Sequence, residues 1–239
     1  MSRCISIFCD FDGTITRNDV TDTILEALAD PMWRDIEEAW EAGRISSRDC
    51  MSRQVALIRC GRDELDALLD RVEIDPAFPA FVEYCKRTGA SLTIVSDGLD
   101  YAITRILARA GIRDVTIIAN HLVFLGDGRH AMSSPHASDR CSSAAGTCKC
   151  AKIGSSGVSV LIGDGRSDFC AAGAVDLVLA KSSLLEFCRT RALAHVAFAE
   201  FSEVPRLLSE HVPAVPPYLL PSDKHPAAPH LDKRLQAAE

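Results

Sequence analysis

The sequence predicts an α/β protein, a doubly wound parallel sheet with a small helical unit inserted near its start. Three observations carry that reading. Short apolar runs rich in strand formers end abruptly in polar, Gly-containing loops at three places. Between them, apolar residues recur at helical spacing. Residues 17–76 contain no strand pattern at all, so the helices there form a unit of their own. Strands alternating with helices imply parallel pairing with helices on both faces, a Rossmann-like arrangement.

Taken in order, Cys4-Ile-Ser-Ile-Phe-Cys9 is the first buried strand, and it stops at Asp10-Phe-Asp-Gly-Thr14. The helical unit follows: Val20, Ile24, Leu28; Trp33, Ile36, Trp40; Met51, Val55, Ile58; Leu65, Leu68, Leu69, Val72. Pro31 marks a helix start, Gly43 separates segments, and Ser46 stands three residues before Asp49 as a capping box requires. A helical segment over 81–86 leads to a strand over 91–95 that ends in Ser96-Asp-Gly98. A helix over 101–110, a strand over 115–119 and an irregular region from about 130 to 150 come next. The third strand to end in a polar loop, 158–162, runs into Gly163-Asp-Gly-Arg-Ser-Asp168, and a helix and a strand over 177–180 follow. After a helix near 203–211 come Pro213, Pro216, Pro217, Pro221, Pro226 and Pro229, six of the eleven prolines, so 213–239 is expected to be an extended, flexible tail. The expected organisation is a core from 1–16 and 77–200 with a helical cap at 17–76.

Composition narrows the function. With 47% apolar and 25% charged residues, the 239-residue chain has enough apolar material for a substantial core. Lys+Arg 26 against Asp+Glu 33 leaves a net charge of -7, which disfavours adhesion to nucleic acid or an anionic membrane. No apolar run approaches the ~20 residues that span a bilayer. Asp10 and Asp12 fall where a signal peptide would be apolar, so a cytoplasmic location is expected. The sequence leaves the oligomeric state open. Five of the ten cysteines (Cys4, Cys9, Cys85, Cys170, Cys188) sit on apolar strands or helices and read as reduced core thiols. His136, Cys141, Cys148 and Cys150 have residue types suited to zinc, but the gap of 6 residues between Cys141 and Cys148 departs from paired ligand spacing. Thiols lining a loop near the site are the competing reading.

In an open parallel sheet, ligands bind outside the carboxyl ends of the strands. Three predicted strands end at Asp10/Asp12, Ser96 and Asp164/Asp168. Brought together, these carboxylates would repel unless a cation joined them, and an all-oxygen donor set points to Mg²⁺. A carboxylate-held Mg²⁺ completes its shell with waters and a substrate phosphate, so a small phosphorylated metabolite is the expected ligand. Each feature has a plainer reading alone: a turn at Asp10 to Thr14, a helix cap at Ser96, an ion pair at Asp168, core packing for Trp33 and Trp40.

Together, Asp10-Phe-Asp-Gly-Thr14, Val95-Ser-Asp-Gly98, a lysine in Cys148-Lys-Cys-Ala-Lys152 and Ile162-Gly-Asp-Gly-Arg-Ser-Asp168 resemble the ordered motifs of the haloacid dehalogenase superfamily of aspartate-nucleophile phosphatases. A helical insert between the first two motifs is similar to the branch holding phosphoserine phosphatases and the methionine-salvage 2-hydroxy-3-keto-5-methylthiopentenyl-1-phosphate phosphatases. The cysteine-rich approach to the lysine, Ser96-Asp-Gly-Leu-Asp100 and Leu184-Leu-Glu-Phe-Cys188 most resemble the second group. The resemblance implies Asp10 as nucleophile and Asp12 as general acid and base. It implies Mg²⁺ held by Asp10, the Asp12 backbone carbonyl and Asp164, with Asp168 as ligand or orienter. Phosphoryl oxygens would be bound by Ser96, the backbone of Asp97 or Gly98, and Lys149, with Lys152 the alternative lysine. In the cap, Asp19 would occupy the acidic position of the phosphoserine branch, whereas Gln54, with Arg53 beside it, stands where that branch has an arginine. That departure counts against phosphoserine, whose carboxylate would lose a bidentate partner. A phospho-binding module without catalysis would be expected to lack one of these groups, and a dehalogenase needs neither Asp12 nor Mg²⁺.

Overall fold

A computed structural model describes residues 5–141, 144–154 and 157–212. The tail expected over 213–239 lies outside the described residues. The first strand, β1 (Ile5–Cys9), is apolar on both faces, as a strand in the middle of a parallel sheet must be. Four helices follow within the insert: α1 (Val20–Leu28), α2 (Trp33–Glu41), α3 (Ser47–Val55) and α4 (Arg62–Leu69). Pro31 lies in the turn ahead of α2, and Ser46 caps α3, accepting from the Asp49 N–H at 3.1 Å and donating to its carboxylate at 2.8 Å. The chain leaves and re-enters the sheet layer side by side, through an antiparallel bridge between Thr16 and Ile74 and a hydrogen bond from the Asp75 N–H to the Ile15 carbonyl at 2.8 Å.

α5 (Phe78–Thr88) then leads to β2 (Ser91–Leu99), α6 (Asp100–Arg109) and β3 (Thr116–Gly126). Past β4 (Arg129–Ser133), the remaining elements are β5 (Val158–Gly163), α7 (Phe169–Ala172), β6 (Leu177–Ala180), α8 (Ser182–Thr190), β7 (His195–Ala197) and α9 (Val204–His211). The seven strands lie in the order β4-β3-β2-β1-β5-β6-β7. All neighbours pair in parallel except β3 and β4. The chain therefore builds outward from β1 first to one side and then to the other, and the crevice at this reversal is the binding position such sheets provide. This is the doubly wound fold expected.

Three expectations are corrected. The strand expected over 91–95 does not stop at Ser96: β2 carries Ser96, Asp97 and Gly98 on to Leu99, with a register shift after Val95 where the ladder is irregular. The strand expected over 115–119 runs on to Gly126 and turns back through Asp127 into β4, so the first part of the region expected to be irregular from 130 is a strand. Gly126, Asp127 and Gly128 all adopt positive φ (85°, 52°, 69°), the conformation a tight hairpin demands and glycine supplies most readily. β7 also extends the sheet beyond the strands read from the sequence.

The helices between β1 and β2 are tied to the sheet layer by charge. The Tyr101 hydroxyl donates to Asp66 at 2.6 Å, and Arg105 forks onto the two oxygens of Asp70 at 2.8 Å each, joining α4 to α6. Among the described residues no helix is long and apolar enough to cross a membrane.

Candidate active site

The carboxyl ends of β1, β2 and β5 open into a crevice of about 670 Å³. Its lining includes Asp10, Asp12, Ser96, Asp97, Gly98 and Asp164 from the sheet, faced by side chains of α1, α2 and α3. β1 delivers Asp10, only 5% exposed, and the pairing of Cys9 with Ile94 and Ile162 fixes it between its neighbours. Its Oδ1 accepts the Phe11 N–H at 2.8 Å, while Oδ2 meets Lys149 Nζ at 2.8 Å. Lys149, 1% exposed, also bonds Asp168 Oδ1 at 2.7 Å and Ser167 Oγ at 2.9 Å. Burial disfavours the lysine's charge, but Asp10 and Asp168 more than offset it and hold the ammonium above its usual value. Lys149 opens a short 3₁₀ turn (Lys149–Lys152) and lies buried just behind the crevice wall, bonded to Asp10 and Ser167, which line it; Lys152 is not part of the wall.

Asp168 has no exposure, and both its oxygens are engaged, Oδ1 by Lys149 and Oδ2 by the N–H groups of Asp164 and Gly165 at 3.2 Å each. Asp164 is anchored by Thr14, whose hydroxyl donates to Oδ1 at 2.7 Å. Oxygens of Asp10, Asp164 and Asp168 lie within 4.8 Å of one another. Burial first and the Asp168 charge second push the Asp10 carboxyl up, with Lys149 opposing; burial likewise raises Asp164. Asp12 accepts the Val20 N–H at 2.8 Å and a longer contact from Ser96 Oγ at 3.4 Å. Burial, then the neighbouring Asp19 charge, lift its carboxyl to about 8.

Close approach explains the glycines. A Cβ on Gly98 would come within 2.5 Å of Asp12 Oδ2 and 3.0 Å of Ser96 Oγ, and one on Gly13, already at φ 70°, within 2.5 Å of Asp164 Oδ2. The Gly98 N–H donates to Ser96 Oγ at 2.9 Å. The Asp97 carboxylate is a junction, taking Ser47 Oγ of α3 at 3.1 Å, Asn120 Nδ2 of β3 at 3.0 Å and the Thr147 N–H at 2.9 Å.

On the opposite wall Asp19 caps α1, accepting the Asp22 N–H, and lines the crevice. Gln54 lines it too, but Arg53 is solvent-exposed and not part of the wall. Neighbours on a helix are turned roughly 100° from each other, so Ser47, Cys50, Met51 and Gln54 share the crevice face of α3 and Arg53 falls off it. Trp33 is buried as expected, but Trp40 lines the crevice, with the Arg166 guanidinium 5.1 Å from its ring. Sequence reasoning also passed over Thr14, Ser167 and Glu37; the first two lie inside quoted motifs, and Glu37 stands one turn before Trp40 on α2.

The residues considered for zinc are not gathered as a ligand set. Among the described residues, Asp10, Asp164 and Asp168 are the only group of three or more potential ligands at metal spacing. Cys148 and Cys150 lie with sulfurs 3.4 Å apart, and Cys141, Cys148, Cys150 and Cys170 pack together, while His136 contributes its backbone carbonyl to the Cys148 N–H.

The site thus gathers a buried aspartate at the end of the central strand, a lysine bridging it to a second acid, and a third acid within metal distance. The haloacid dehalogenase-like hydrolase family matches residues 7–173, and the chain belongs to it as a phosphatase. More particularly, the chain is 33% identical over 217 residues to the 2-hydroxy-3-keto-5-methylthiopentenyl-1-phosphate phosphatase of Brevibacillus brevis, covering 88% of this chain and 97% of that one. It is 32% identical over 211 residues to the like-named protein of Geobacillus kaustophilus, covering 85% and 95%. A solved phospho-aspartyl intermediate analogue of phosphoserine phosphatase shares the fold, with a TM-score of 0.63 at 18% identity over 86% of this chain and 99% of that one.

Proposed function

We propose that this phosphatase is Mg²⁺-dependent, works through an aspartyl-phosphate on Asp10, and acts on a small keto-sugar phosphate of the methionine-salvage type named in its relatives. The observation that carries the mechanism is the buried Asp10–Lys149–Asp168 bridge with Asp164 beside it. These hard oxygen donors suit Mg²⁺, with Asp10, Asp164 and the Asp12 backbone carbonyl as its holders. Asp168, whose oxygens are already engaged, orients Lys149 and the Asp164 turn. When bound, the ion polarises phosphoryl oxygens and offsets the charge that grows on them.

An Asp10 oxygen attacks phosphorus as the bond to the leaving oxygen breaks, and Asp12 gives that oxygen its proton. Water then attacks the aspartyl-phosphate while Asp12 takes the water's proton, which releases inorganic phosphate and restores Asp10. Ser96 and the backbone N–H of Asp97 or Gly98 donate to the phosphoryl oxygens, and Lys149 neutralises the charge that grows on them. Residues 17–76 act as a cap that excludes water and reads the leaving group, and 1–16 with 77–200 form the core.

The test is Asp10→Asn, assayed with Mg²⁺ on phenyl phosphate and on a panel of metabolite phosphates. Turnover should fall by about 10⁴-fold or more, the scale of lost covalent catalysis. An Asn variant working at the wild-type rate would overturn the assignment of the nucleophile.

A further inference from the structure

The two walls of the crevice differ in chemistry. The sheet side presents Ser96, with Lys149 behind Asp10, and the proposed function assigns both to the phosphoryl group. The helical side presents the carboxylates of Asp19, Asp22 and Glu37, with the apolar surfaces of Trp40 and Met51 between them. Of these carboxylates Glu37 is held across two helices. Gln54, 4% exposed on α3, donates its Nε2 to Glu37 Oε2 at 2.7 Å and to the Trp33 carbonyl at 3.4 Å. The Cys50 thiol lies 3.6 Å from the same Glu37 oxygen. A glutamate on a helix surface would ordinarily sample several rotamers, and this one is fixed by an amide that is itself fixed. Among the described residues Glu37 Oε1 takes no hydrogen bond, so it is available to a group in the crevice. Trp40, three residues on, shares the face and supplies a flat apolar surface beside it.

We propose that Glu37, positioned by Gln54, is the specificity residue of the cap and accepts a hydrogen bond from a hydroxyl of the leaving group, selecting hydroxylated esters that carry no carboxylate. This rests on the phosphatase reading of the site. A substrate carboxylate facing Asp19, Asp22 and Glu37 would meet only like charge on that wall, whereas a hydroxyl donates to it without adding charge.

The experiment measures kcat and KM of the full chain with Mg²⁺ on fructose 1-phosphate, phenyl phosphate, phosphoethanolamine and phosphoserine. Phenyl phosphate offers Glu37 no donor, so its hydrolysis by the wild type tests the phosphatase reading separately. The inference is read from the ratio of kcat/KM between fructose 1-phosphate and phenyl phosphate. That ratio should fall at least about tenfold in Glu37→Ala, the scale of one hydrogen bond to a charged group, chiefly through KM, and recover partly in Glu37→Gln, which keeps an acceptor. Gln54→Met should lower it less. Glu37→Ala with Gln54→Met should fall no further than Glu37→Ala alone, because Gln54 acts through Glu37. An unchanged ratio in Glu37→Ala, multiplicative losses in the double variant, or wild-type preference for phosphoserine or phosphoethanolamine over fructose 1-phosphate would each overturn the proposal.

Discussion

Replacing Lys149 with methionine keeps the length and much of the volume of the side chain while deleting the charge that bridges Asp10 at 2.8 Å and Asp168 at 2.7 Å. Breaking a buried ion pair by removing one partner costs about 3–5 kcal/mol, because the remaining charge is left without compensation. Here two carboxylates are stranded, but Asp10 can relieve the strain by taking a proton, so the lower end of that range applies. At roughly 2–4 °C per kcal/mol for a chain of this size, the metal-free variant should melt about 6–12 °C below the wild type near neutral pH. The pH dependence has a definite sign. Burial and Asp168 already raise the Asp10 carboxyl in the folded state, and losing Lys149 raises it further. Folded Asp10 then binds a proton that unfolded Asp10 does not, so the variant loses stability as pH rises above the ordinary carboxylate range, and its deficit shrinks on acidification. Thermal unfolding in EDTA from pH 5 to 8, beside phosphatase assays with Mg²⁺, reads both effects. Lys152→Met, outside the crevice wall, is the control. A Lys149→Met melting point within about 2 °C of the wild type at every pH would refute the bridging role.

Two further outcomes are expected. Asp12→Asn should slow an alkyl phosphate more than an aryl phosphate whose leaving group departs without a proton, in kcat/KM measured on both; equal losses would make Asp12 structural. Gly98→Ala places a methyl 2.5 Å from Asp12 Oδ2 and 3.0 Å from Ser96 Oγ, so kcat should fall at least about tenfold, with a circular dichroism spectrum like the wild type's, and unimpaired turnover would show that this contact is free to give.

The site was legible wherever chemistry coincided with a change of pattern. Asp10, Ser96 and Asp164 each follow a run of apolar strand formers; the loop stops the strand at Asp10 and Asp164, whereas β2 continues through Ser96 to Leu99. The choice between Lys149 and Lys152 rests on family spacing alone; in space Lys149 bridges Asp10 and Asp168, a contact no spacing reports. Other placements were illegible because periodicity reports which residues share a face without reporting what the face meets. Trp40 recurs with Trp33 and Ile36 just as a core residue would, yet its ring lies in the crevice under Arg166. Arg53 is next to Gln54 in sequence and off the crevice face in space. The β3–β4 hairpin did announce itself, since Asp127-Gly128 is a strong hairpin turn signal, but the short β4 has too little apolar alternation to stand out from the Ser- and Cys-rich loop after it.

The Asp97 carboxylate joins three parts of the molecule that the reaction keeps separate: Ser47 at the head of α3, Asn120 on β3, and the backbone two residues before Lys149. For anyone re-engineering the enzyme, it is a mechanical linkage. Repacking α3 to admit a different alcohol would pull on Ser47, and through Asp97 on the turn that aims the lysine, so substrate range and rate would change together. Substitutions on α2 are the better starting point, because α2 makes no bond to Asp97 among the contacts that form the linkage, and its hydrogen bonds to α3 are those of Gln54 and Cys50.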